Sequence, residues 1–294
     1  MTKFDVLDET GDHDSLREQI VDILLRVAPL AKTTTALDLP DRVVFRIVSV
    51  ETARSAMTAH MAHLVRTYRE LVPGWKRPFI TLFSIPLLAL FHRRSAVRTE
   101  FLVMGATHTV PETGESETQF VPDALEHTGI LTDDKHLTSV VIHELVHQMQ
   151  NAQSRNRANW TENKAMTLLH SGGINFVEEG HAYWADQAIT KALYGNAVDV
   201  RSAPKSEEYK KHAGKGQKID VHGVGLLLVE SAINTVGTQK LNTVWNDHRL
   251  LPRRNEVAEA VTGIKADEPD QPKLWAARLE RASFTEAGER SSFD

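Results

Sequence analysis

Helical and strand-like patterns of apolar residues alternate in the N-terminal half of the chain. Apolar residues from Leu16 to Val27 recur at helical spacing, and Pro29 is expected to end that helix. Residues 42–50 are rich in β-branched side chains and predict a strand. Residues 51–71 have helical composition, and residues 101–110 predict a second strand. This half of the chain therefore combines strands with helices.

Helical patterns dominate the C-terminal half. Residues 135–150 predict one helix, and residues 174–193 predict another that ends near Gly195. Residues 224–233 predict a further apolar helix, and the lysine-rich stretch 202–218 predicts a mobile loop. We therefore expect an α+β fold in which a strand-bearing N-terminal half packs on the helix at 135–150 and the rest is mostly helical.

The sequence suggests three regions. Residues 1–130 form an N-terminal α/β region of unknown role, residues 131–267 hold the candidate chemistry, and residues 268–294 form a charged tail with a disordered end. The most apolar stretch, Pro78–Phe91, holds two prolines and is shorter than the ~20 residues of a membrane span. We interpret it as buried core, with a helix that docks on a membrane or a partner as the alternative.

Composition limits the classes of function. The 294 residues include 34 basic and 39 acidic side chains, a net charge of −5, which gives no strong attraction to nucleic acid or to an anionic membrane. The chain has no cysteine, which excludes disulfides, thiolate ligands and a cysteine nucleophile. The N-terminus has no apolar signal segment, so we expect a cytoplasmic protein without stable membrane insertion.

The helix at 135–150 contains HELVH at residues 143–147. Residues four apart lie on one helical face, so the imidazoles of His143 and His147 can bind a single zinc ion. Glu144 lies about 100° further round the helix, where it can act as general base on a water at that ion. A chance occurrence is the alternative, but the other faces of this helix are apolar, and unpaired buried histidines would be costly.

A catalytic zinc site needs a third protein ligand. No histidine follows His147 at the spacing of metzincins, so that subclass is excluded. Glu178 and Glu179 stand early in the next helix, which is predicted over 174–193, and carboxylates are favourable near a helix N-terminus. Gly180 costs up to ~1 kcal/mol relative to alanine inside a helix, so we expect it to permit close packing against the helix at 135–150.

HELVH followed by EEGHAYWAD resembles the gluzincin metallopeptidases, the group that includes thermolysin and aminopeptidase N, and in particular the branch with Glu-Gly-x-Ala in the second helix. The resemblance covers roughly residues 130–235. It implies a zincin-like fold with zinc ligands His143, His147 and Glu179, and with Glu144 as base and proton shuttle. Glu178 is the alternative third ligand.

Two gluzincin motifs are absent. There is no Gly-x-Met-Glu-Asn motif, and Tyr183 stands four positions after Glu179, where the thermolysin pattern has an aspartate. Asp186 is the candidate carboxylate to steady a ligand histidine, with a simple salt bridge as the alternative. Many Glu-Gly-x-Ala proteins have Tyr-x-x-Gly before a later helix; here His222 takes that place and is expected to donate to the oxyanion. A capping or surface role for His222 is the alternative, and Tyr209 is a second candidate donor.

These features predict a zinc-dependent metallopeptidase that acts on a peptide or protein substrate, with no nucleic-acid partner. An extended substrate would pair with a strand edge near the active-site helix, from residues 101–110 or 118–121. The alternatives are a zincin-fold binding or regulatory protein without proteolysis and a zinc hydrolase of a small amide. The remaining histidines are expected to be surface or structural: His108, His127, His136 and His181 are examples.

Overall fold

The computed structural model describes residues 2–110, 113–154, 173–213, 220–265 and 272–290. Helices α1 to α11 span, in order, Asp14–Thr35, Val50–Leu71, Arg77–Phe101, Pro122–His127, Asp134–Ser154, Ile174–Tyr194, Glu207–Ala213, Val221–Val236, Thr238–Leu241, Arg254–Lys265 and Leu274–Arg290. Strands β1 to β4 span Lys3–Asp8, Arg42–Ile47, Gly105–Thr109 and Ser116–Phe120. This mixture of many helices and one small sheet is an α+β fold.

The four strands form one sheet in the order β1-β2-β4-β3. β1, β2 and β4 are parallel, and β3 is antiparallel to β4 at the edge of the sheet. The strand predicted over 101–110 is therefore present as an edge strand, although it begins only at Gly105. Residues 118–120 belong to β4, which is hydrogen-bonded on both sides, so the prediction that 118–121 provides an edge is wrong.

Helix α5 lies at the centre of the main core. It packs against α1 and α6 and against β3 and β4, so its apolar residues find partners all round. Its buried apolar side chains are Leu137, Val140, Val141, Ile142, Leu145, Val146 and Met149. The predicted helices at 135–150, 174–193 and 224–233 are confirmed as α5, α6 and α8, and α6 ends at Gly195 with a φ of 82°.

The boundaries of α1 and β2 differ from the predictions. Helix α1 continues through Pro29 to Thr35, so the prediction that Pro29 ends it is wrong. An interior proline costs about 3 kcal/mol, but the last turn of α1 stays packed in the core, and Thr35 is fully buried. β2 ends at Ile47 because Ser49 caps α2, its Oγ accepting a hydrogen bond from the Thr52 amide at 3.2 Å.

The prediction that Pro78–Phe91 is buried core is wrong. This stretch lies in α3, which pairs with α2 as a helical hairpin. Leu82, Phe83 and Ile85 are each 67% exposed, because α2 covers only one side of α3. Among the described helices, none has both the length and the apolarity that a membrane crossing requires.

Two segments predicted to be irregular contain helices. The lysine-rich stretch 202–218 includes α7, while residues 214–219 lie outside the described ones. In the predicted tail, Trp275 and Leu279 of α11 are buried in the main core, and Arg278 binds Glu256 with an Nε–Oε1 distance of 2.7 Å. The tail is thus part of the fold up to at least this point. The connecting segment 155–172 and the extreme C-terminus at 291–294 lie outside the described residues.

Burial of Trp275 should contribute strongly to stability. We expect Trp275→Ala to lower the free energy of unfolding by about 3–5 kcal/mol, since it leaves a large cavity. Trp75→Ala is the matched control, because Trp75 is 70% exposed and its removal leaves no cavity. Urea denaturation of both variants measures the difference, and equal losses would contradict the packing of α11 on the core.

Candidate metal centre

Two histidines of α5 and one glutamate of α6 point their ligand atoms at a common point. His143 Nε2 lies 3.1 Å from His147 Nε2 and 3.2 Å from Glu179 Oε2. His147 Nε2 lies 3.6 Å from the same carboxylate oxygen. The i, i+4 spacing on α5 and the packing of α6 against it bring together the three residues that the sequence nominated. Of the two neighbouring glutamates, Glu179 is the one that meets His143.

The other ring nitrogen of each histidine has its own partner. His143 Nδ1 lies 3.1 Å from Oδ2 of Asp186, which is buried, and His147 Nδ1 lies 2.9 Å from Gln150 Oε1. The Gln150 amide in turn donates to the Glu178 carbonyl oxygen at 3.0 Å. These contacts leave both Nε2 atoms directed at the common point. Asp186 thus contacts His143, a contact that agrees with both roles considered for it, the orientation of a ligand histidine and a simple salt bridge. Gln150 was missed, although its place one turn after His147 is a usable signal.

Helix α6 makes its closest approach to α8 rather than to α5. A Cβ atom at Gly180 would collide with the carbonyl group of Gly225, and one at Gly225 would lie 2.8 Å from the Gly180 Cα. Gly180 therefore does permit close packing, but against α8, and the prediction that α5 is its partner is wrong. The two glycines instead let the backbones of α6 and α8 nearly touch, which places Glu179 beside the first turn of α8.

His222 lies in that first turn. Its Nε2 is 3.1 Å from Glu179 Oε2, and ligand atoms of His143, Glu179 and His222 all lie within 4.8 Å of one another. The His222 side chain is 45% exposed, whereas those of His143 and His147 are 14% exposed. His222 therefore faces the open side of the centre. Tyr209 lies in α7, with the Lys205 ammonium 5.5 Å from its ring centroid.

Glu144 is held against the edge strand β3. Its Oε2 lies 2.6 Å from the hydroxyl of Thr107, which donates to it, and it is only 6% exposed. A Cβ at Gly105 would lie 3.0 Å from the Glu144 side chain, so this glycine makes room for the carboxylate. Sequence reasoning missed Thr107, because nothing local links a strand threonine to a helix 37 residues later.

The centre stabilises positive charge. Burial lowers the pKa of His143, but hydrogen bonds to Asp186 and Glu179 outweigh it and raise the pKa to about 10. Burial opposes the charged form of Glu179, yet the facing histidines hold its pKa well below the ordinary value. Burial raises the pKa of Asp186 to about 6. Carboxylates around buried imidazoles provide the electrostatic condition that a cation site needs.

The four histidines that the sequence predicts to be surface or structural, His108, His127, His136 and His181, lie outside the centre. His181 is fully buried, and burial lowers its pKa to about 3, so it is a neutral core residue. His108, His127 and His136 lie respectively 3.3 Å from Glu117, 3.0 Å from Ser206 and 2.9 Å from Asp133. The prediction that these histidines are structural or superficial agrees with these contacts.

A comparison of this chain with protein-family models, curated proteins and solved structures finds no match. The gluzincin resemblance therefore stays a prediction that rests on the two motifs. The geometry of His143, His147, Glu179 and His222 is independent of that resemblance.

The close approach of α6 and α8 should be intolerant of a single methyl group. Gly→Ala inside a helix ordinarily gains up to ~1 kcal/mol, but Gly225→Ala is expected to lose about 1–3 kcal/mol because the methyl has no space. Gly74→Ala is the control, since a Cβ there meets nothing within 4 Å. Thermal unfolding of both variants tests this, and a stabilised Gly225→Ala protein would contradict the helix contact.

Proposed function

We propose that the chain is a zinc-dependent peptidase in which His143, His147 and Glu179 hold the metal. The observation that carries the proposal is the set of ligand-atom separations, 3.1, 3.2 and 3.6 Å. Tetrahedral zinc with bonds of ~2.0–2.1 Å separates its ligand atoms by about 3.3 Å. Two imidazoles and a carboxylate are also the protein ligands of many catalytic zinc sites, which keep a fourth position open.

The partners of the ligand histidines support the same assignment. Asp186 and Gln150 fix the ring orientation of His143 and His147, as hydrogen-bond partners of zinc-bound histidines do. A partly buried donor set that is already oriented loses little freedom on binding an ion. The donor set therefore fits zinc in chemistry and in arrangement.

When bound, zinc supplies Lewis-acid polarisation of a carbonyl group and lowers the pKa of water. The Glu144 carboxylate takes the proton of the attacking water and then gives it to the departing amine, so that the amide C–N bond breaks and an acid and an amine form. The Thr107 hydroxyl holds that carboxylate in place. His222, on the exposed side, donates a hydrogen bond to the carbonyl oxygen as negative charge develops there.

The edge strand β3 favours a peptide over a small amide as substrate. Its outer side has no strand partner among the described residues, and Thr107 of the same strand contacts Glu144. An extended peptide paired with β3 would pass beside the catalytic base. A purely structural zinc site has no use for a base, so Glu144 argues against a binding module. The cysteine-free chain fits a reducing compartment, and we propose the cytoplasm.

Glu144→Gln should separate metal binding from turnover. We expect this variant to keep a full complement of zinc and to lose about 10²- to 10⁴-fold in turnover, because the amide cannot accept a proton. Glu179→Gln should instead lose zinc. Metal content by mass spectrometry and digestion of a peptide library measure the two properties. An active Glu144→Gln enzyme would refute the role of the base, and zinc-free wild-type protein that cannot be reloaded would refute the whole proposal.

His222→Ala distinguishes an oxyanion donor from a fourth ligand. As a donor, His222 contributes to the transition state alone, so kcat should fall about 10²- to 10³-fold while zinc content stays unchanged. Loss of zinc from this variant would mean that His222 is a ligand and that its proposed donor role is wrong. Circular dichroism of both proteins checks that the fold is intact.

A further inference from the structure

The α2–α3 hairpin, residues 50–101, carries a charge opposite to that of the whole chain. It holds eight Lys and Arg residues against three Glu, a net charge of +5, whereas the full chain has −5. The rest of the molecule therefore carries −10. The near balance of the complete sequence conceals one strongly basic element.

The tip of the same hairpin is apolar and exposed. Trp75, in the turn between the helices, is 70% exposed, and Phe79, Leu82 and Phe83 in the first two turns of α3 are 58%, 67% and 67% exposed. Lys76 lies among them, its ammonium 5.2 Å from the Trp75 ring. So many large apolar side chains together on one surface are unusual for a protein that stays in water.

We propose that the tip of the hairpin docks on an anionic lipid surface. An exposed tryptophan and phenylalanines enter the interfacial region of a bilayer, while lysine and arginine beside them bind acidic headgroups. The tip inserts to the depth of the headgroups and outer acyl chains, as exposed aromatic side chains at a membrane interface do. A second copy of the chain docked hairpin to hairpin is a poor occupant, because two hairpins of +5 repel each other.

Docking of the tip would bring the candidate metal centre close to the membrane. Helix α2 contacts β3, where the His60 ring lies 6.2 Å from that of His108. His60 is eleven residues before the end of α2, about 16 Å along the helix. The strand that holds Glu144 therefore lies beside the middle of α2, about 16 Å along the helix from the end that leads into the tip.

Flotation of the full-length protein with vesicles tests the proposal. We expect it to float with vesicles of phosphatidylcholine and phosphatidylglycerol, to bind pure phosphatidylcholine weakly, and to lose binding at high salt. Trp75→Ser combined with Phe83→Ser should abolish flotation. Leu25→Ser is the matched control, since Leu25 is also an exposed apolar side chain, at 59%, but lies on α1. Lys76→Gln and Arg77→Gln should each weaken binding about fivefold.

Brominated acyl chains provide a second measurement that reports on the tip itself. Contact with the chains should quench the fluorescence of exposed Trp75, and the quenching should disappear in Trp75→Phe. The proposal is overturned if wild-type protein does not float with anionic vesicles, or if the Trp75→Ser, Phe83→Ser variant floats as well as the Leu25→Ser control. It is equally overturned if sedimentation velocity shows a protein dimer that this double variant dissociates while vesicle binding is absent, because the surface would then bind protein.

Discussion

Side chains from three helices meet at the candidate centre, and two glycines bring two of those helices unusually close together. Gly180 and Gly225 let α6 and α8 nearly touch, so the carboxylate of Glu179 reaches the imidazole of His222 on one side and those of α5 on the other. A methyl group at either glycine would push the helices apart by more than a hydrogen bond tolerates. The position of His222 beside Glu179 thus depends on the absence of a side chain at these two glycines.

A polar cluster inside an apolar core persists only when its members satisfy one another. Helix α5 is buried on nearly all sides, yet it carries His143, Glu144, His147 and Gln150. Each has a partner from an element other than α5. His143 contacts Asp186 and Glu179 of α6, and Glu144 contacts Thr107 of β3. The surrounding α5 contacts are apolar and rigid, which fixes the backbone to which these side chains are attached. Packing and polarity therefore act together to hold the geometry that the proposed chemistry requires.

Local pattern was sufficient to predict α2, α5, α6 and α8 and to nominate the ligand candidates, since spacing along one helix is a property of the sequence alone, but it predicted neither α3 nor α11. Prediction from local pattern failed where the structure depends on contacts with residues distant in the sequence. Pro29 ends no helix because core packing of the next turn outweighs its cost, and Gly180 faces α8 rather than α5 because nothing local names the partner. The contact of Thr107 with Glu144 and the inner position of β4 depend on strand order, which no periodicity encodes.

The contrast between α3 and α5 extends this argument to the surface. Both helices contain many large apolar residues, but α5 packs against two helices and two strands of the core, whereas α3 packs chiefly against α2. Burial is decided by how many partners the fold supplies, not by the apolarity of a segment. When a fold leaves an apolar helix uncovered, the hydrophobic free energy is still available to a partner outside the chain. The excess of positive charge on the same hairpin, in a chain that is negative overall, selects an anionic surface as that partner.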